Sequence, residues 1–87
     1  MAFFPARILS NDGVVIADNV EVWIHFFLLD NREMWDGSFA LPTTTLLRAH
    51  PYRIQLADGR EGKITNITAR IIEENILVYF EGEGPLQ

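Results

Sequence analysis

The chain has no cysteine among its 87 residues. Disulfides and thiolate metal sites are therefore excluded, and a small fold must hold without covalent staples. Basic residues are few: seven against twelve acidic ones, for a net charge of −5. Those seven are scattered, which argues against a nucleic-acid or anionic-membrane surface, since both need clustered Lys and Arg. Histidine is scarcer still, with only His25 and His50. No carboxylate sits at metal-ligand spacing from either, so no metal or other cofactor is expected. The six glycines fall singly, leaving no phosphate-cradling loop. No apolar run approaches the length of a membrane span, and Met1 to Arg7 is too short for a signal peptide. The expected location is the cytoplasm.

What the chain does have is apolar residues, 48% of the total, with 11% aromatic. A domain of this length buries roughly 60–65% of its unfolded surface. One core, and one domain over residues 1–87, is the natural reading.

Tyr52 to Ile67 organises the rest. It alternates apolar and polar, breaks at Asp58-Gly59 and resumes, the pattern of a hairpin. Ile54 and Leu56 share one face. A plain two-residue loop would set Ile54 against Lys63 and mix the faces. One extra residue, from a three-residue loop or a bulge near Arg60, sets Ile54 against Ile64, Leu56 against Gly62 and Gln55 against Lys63, and burial favours that register.

Upstream, Pro5 to Leu9 reads as a first strand. Asn11-Asp12-Gly13 is a turn with Gly13 at positive φ. Val14 to Ala17 pairs back, and Asp18-Asn19 is a second turn or bulge. Val20 to Leu29 is the longest strand, with Val20, Val22, Ile24, Phe26 and Leu28 on its core face. Asp30 to Glu33 is a charged turn. Met34 to Leu41 is a further strand, in which Gly37 marks a bulge or a close backbone approach. Thr43 to His50 is either one helical turn or irregular loop before Pro51. Beyond the hairpin, Ile67, Ala69 and Ile71 switch parity relative to Ile64, which implies a bulge near Thr65-Asn66. Glu73-Glu74-Asn75 reads as a three-residue turn with Asn75 left-handed. Ile76, Val78 and Phe80 face inward, and residues 82–87 form a frayed tail.

These elements define an all-β fold: a single small antiparallel barrel or sandwich of six to seven short strands, with at most one helical turn. A meander curling into a barrel is the cheapest connection.

Leu56-Ala57-Asp58-Gly59-Arg60 resembles the Leu-x-Asp-Gly-Arg turn of Sm-like RNA-binding barrels, without their spacing to the next glycine. Asp36-Gly37-Ser38 is similar to the start of the Asp-x-Ser-x-x-Gly stretch of the cyclic-dinucleotide-binding PilZ barrels, but Leu41 stands at the glycine position. A longer resemblance is to small bacterial barrel proteins. They share a Trp-x-Gly-x-Phe strand (Trp35 to Phe39), a Tyr-x-Leu-x-Leu-x-Asp-Gly-Arg hairpin (Tyr52 to Arg60) and a Gly-x-Gly-Pro-Leu end (Gly82 to Leu86). It covers about half the chain. It implies a bacterial cytosolic barrel and carries no activity with it.

Few residues suggest chemistry. His25, between Trp23 and Phe27 on a strand, reads as a half-buried packing residue, and His50 as a loop residue. Asp30, Glu33 and Asp36 read as a solvated turn rather than an acid pair. Ser10 and Ser38 lack a nucleophile elbow. No nucleophile, base and orienting group assemble, so an enzyme is not expected. Trp23, Phe27, Leu29, Trp35 and Phe39 lie on two strands joined by a short turn. On one face they would form either the seam of a second layer or an exposed interaction patch. The leading expectation is a non-catalytic module that binds a protein partner or itself through Trp23, Phe27, Trp35 and Phe39. The alternative is a sensor barrel whose mouth, lined by Arg48, Arg53 and Arg60, holds a nucleotide-type anion.

Overall fold

Period-two alternation becomes six strands in the computed structural model, which describes residues 2–45 and 52–87. They are β1 (Ala2–Ser10), β2 (Val15–Leu29), β3 (Arg32–Pro42), β4 (Tyr52–Leu56), β5 (Glu61–Ile72) and β6 (Asn75–Glu83). All neighbours are antiparallel, and the sheet closes into one barrel in the order β1-β2-β3-β6-β5-β4. The order is not the expected meander. Two three-stranded meanders, β1-β2-β3 and β4-β5-β6, meet along β3–β6 and β1–β4. Closure leaves the sheet without a full-length free edge.

Alternate residues point inward where a strand has neighbours on both sides. Ile8, Val22, Ile24, Leu41, Ile54, Ile64 and Val78 are completely buried, and Trp35, Phe39, Tyr52 and Phe80 fill the space between them. Each buried aliphatic side chain is worth about 1.5–3 kcal/mol relative to exposure, which is how the chain folds without staples. Burial also pushes the Tyr52 phenol up from its ordinary range.

The corners follow local chemistry. Gly13 has φ 88° as the Asn-Asp-Gly signal requires. Buried Ser10 braces that turn, its hydroxyl accepting from the Val14 amide at 3.0 Å and donating to Asp12. The β2–β3 corner is a two-residue turn, with Asp30 and Asn31 both at positive φ. Asn19 takes φ 55° where β2 carries an extra residue opposite Arg7, the bulge expected at Asp18-Asn19. The parity switch in β5 is likewise a bulge, between Thr65 and Thr68 with Asn66 at φ 50°.

The Tyr52 hairpin keeps its predicted faces but not its predicted register. Ile54 pairs with Gly62 and Tyr52 with Ile64, two residues away from the expected pairing. The loop has three residues, one of the two forms expected, but the added residue is Ala57 rather than one near Arg60. Leu56 accepts from the Gly59 amide and donates to the Arg60 carbonyl, so Ala57-Asp58-Gly59 is a three-residue loop with Gly59 at φ 98°. The Asp58 carboxylate holds the loop by accepting from the Arg60 backbone and guanidinium, both at 3.0 Å. These bonds place its pKa below the ordinary carboxylate value.

Three further expectations are corrected. Glu73, not Asn75, is left-handed at φ 56°, and Asn75 pairs with Ile72 in a two-residue turn. Phe26 and Leu28 share the parity of the core face but are exposed, because β1 pairs with β2 only as far as Ile24. The end of the chain is not a frayed tail. Gly84 accepts a hydrogen bond from the Trp35 indole at 2.8 Å, Gln87 exchanges backbone hydrogen bonds with Glu61, and Leu86 packs on the core. The doubtful Thr43 to His50 stretch begins as a turn, Thr45 donating to Pro42. Its remainder lies outside the described residues.

Candidate functional site

Parity decides where the predicted face goes. A two-residue turn after Leu29 sets Trp23 opposite Ser38, Phe26 opposite Trp35 and Phe27 opposite Met34. Directly opposed residues share a face, so Trp35 and Phe39 point the other way from Trp23 and Phe27. Trp35 is 4% exposed and Phe39 3%, both inside the barrel, whereas Trp23 is 38% exposed on its outer wall. The four aromatics therefore do not form one face. Any even-length turn at Asp30 imposes this split, so the signal was present in the loop length.

Gly37 sits beside this split as the close approach expected of it. A Cβ there would fall 2.0 Å from the Trp23 carbonyl oxygen. Beside it the outer wall carries a cleft of about 410 Å³, lined by Trp23, Ile24, His25, Asp36, Gly37, Ser38, Tyr79 and Phe80. Trp23 and Tyr79 stand on either side of Ser38, one strand away in each direction. The edge of Phe3 meets Trp23 on the side away from Ser38. In the next outward row, Asp36 lies between His25 and Glu81. His25 Nδ1 is 3.3 Å from Asp36 Oδ1, and its ring stacks on Phe27 with centroids 5.3 Å apart. Its side chain is half exposed, in keeping with the half-buried packing residue expected, with Phe27 covering the ring and Asp36 facing its nitrogen.

Beyond the end of β1, β2 and β3 continue as a two-stranded arm. Residues 25–29 of β2 pair only with β3, and residues 32–35 of β3 pair only with β2, among the described residues. One face of the arm carries Phe27, Leu29 and Met34, and the other Phe26 and Leu28. Leu28 is 71% exposed and Leu29 56%. The expected acidic trio is dispersed here: Asp30 lies in the turn, while Glu33 and Asp36 have opposite parity.

Arg53 and Arg60 of the alternative reading are not gathered round one mouth. Arg53 pairs with Glu61 on the outer wall. Arg60 pairs with Asp58 at 2.9 Å and lies over the Phe4 ring, 5.1 Å from its centroid. Arg60 does border an end cleft of about 630 Å³ beneath the arm, shared with Arg32, Trp35 and Leu86. Arg48 and His50 lie outside the described residues. Among the described residues no three His, Asp or Glu side chains gather as metal ligands, and no helix is long and apolar enough to cross a membrane.

Comparison with protein-family models, with curated protein sequences and with solved structures gives no match.

Proposed function

We propose that the protein is a non-catalytic interaction module whose copies associate through the β2–β3 arm. The observation that carries this is the arm's apolar character on both faces, together with two edges that no described strand covers. A free two-stranded ribbon is marginal in water, and bare edges pair readily. Two copies of β2 laid antiparallel about Phe27 satisfy both demands at once, because such a contact is self-complementary about a two-fold axis. Phe27 from the predicted face takes part; Trp35 and Phe39 contribute by holding the arm's root in the core. With no cysteine to oxidise or protect, such a module is compatible with a reducing compartment such as the cytoplasm.

Sedimentation equilibrium over a range of concentrations tests this. The mass should rise toward that of a dimer, and Leu28→Asp should weaken association about tenfold or more by placing a charge in an apolar contact. The exposure of Leu28 leaves the barrel itself unaffected. A wild-type protein that stays monomeric throughout contradicts the proposal.

A further inference from the structure

We infer that the outer-wall cleft between Trp23 and Tyr79 receives an arginine side chain from a partner protein. The inference rests on reading the protein as a binding module, and deepens it by naming what the second surface recognises.

Three features point to a flat cation. The first is shape. Trp23 and Tyr79 flank Ser38 from adjacent strands, so their Cα atoms stand about 10 Å apart across β3. Trp23 leans toward Phe3 and Ser38 forms a low floor, which leaves a slot between two aromatic walls. An aromatic face attracts a cation through its quadrupole, and a planar guanidinium stacks where a hydrated ammonium does not.

The second is charge. Asp36 and Glu81 are directly opposite each other in the row beside the slot. Like charges in direct cross-strand opposition destabilise a sheet, and a cation placed over them reverses that cost. His25 at one carboxylate and Asn66 at the other engage single oxygens, so each carboxylate keeps an acceptor for a guanidinium donor. The net charge of −5 favours a basic partner at long range.

The third is precedent within the molecule. Arg60 already packs its guanidinium over Phe4 while pairing with Asp58. The outer cleft offers the same combination of ring and carboxylate, with no Lys or Arg among its described lining residues.

The test is an NMR titration of the intact protein with N-acetyl-arginine methylamide, with the citrulline and lysine analogues as controls. Saturable shifts are expected at Trp23, Ser38 and Tyr79 with arginine. The neutral citrulline analogue should bind about tenfold more weakly, and lysine also more weakly than arginine. Asp36→Asn and Tyr79→Leu should each reduce arginine binding several-fold while the Trp35 indole resonance stays in place, which certifies the fold. Absence of saturable shifts, or binding of citrulline or lysine as tight as arginine, overturns the inference. Sedimentation separates the two claims: a monomer that binds arginine contradicts self-association alone, and a dimer indifferent to arginine contradicts the cleft alone.

Discussion

Trp35 packs its indole against the bare backbone of Gly82. A Cβ placed on Gly82 would fall 2.1 Å from Trp35 Cε2, and one on Gly62 would fall 2.7 Å from Cζ2. Two glycines on β5 and β6 thus make the recess that lets a tryptophan enter a six-stranded barrel. Gly82→Ala should cost about 1–3 kcal/mol, since the indole is buried and held by its bond to Gly84. Urea unfolding of the variant measures it.

Gly37 and Gly59 separate two reasons for glycine. At Gly59 nothing lies within 4 Å of a Cβ, so Gly59→Ala should cost only the left-handed backbone penalty, about 1–2 kcal/mol. At Gly37 the obstruction is the Trp23 carbonyl, a backbone atom that cannot swing aside. Gly37→Ala should therefore destabilise more than Gly59→Ala. Paired thermal melts decide the order.

The chain end closes the barrel around Trp35. Removing residues 84–87 deletes the indole's acceptor, the Leu86 contact and the pairing with Glu61. The truncated protein should melt at lower temperature and show red-shifted tryptophan emission. An unchanged spectrum would mean that the last residues do not cover the indole.

Asp58 carries a pH dependence of known sign. Arg60 stabilises its ionised form, so its folded pKa lies below the unfolded one, about 3.9. The stabilisation is complete above that value and disappears as the pH falls through the depressed folded value. Asp58→Asn should be slightly less stable than wild type at neutral pH, with the gap closing in acid. Denaturant midpoints at several pH values show it.

Much of this was legible in the residues. Alternation marked the strands, the parity switch after Ile64 marked the β5 bulge, and Asn-Asp-Gly and Asp-Gly marked two corners. Those signals are local. The order of strands depends on which edges meet, such as Leu41 beside Ile76, and no nearby residue encodes that. The exposure of Phe26 and Leu28 escaped for a related reason: parity tells which face a side chain takes, not where the neighbouring strand stops. The hairpin register failed by two because a loop beginning at Ala57 and one ending at Arg60 keep the same faces. The cleft was missed because Trp23 and Tyr79, 56 positions apart, meet only through Ser38.

Hydrogen exchange at the two indole N–H groups tests the central claim most directly, that one tryptophan lies inside the barrel and the other on its wall. The Trp35 proton, bonded to Gly84 within a buried site, should exchange orders of magnitude more slowly than that of Trp23. Equal rates at both indoles, fast or slow, would contradict the account.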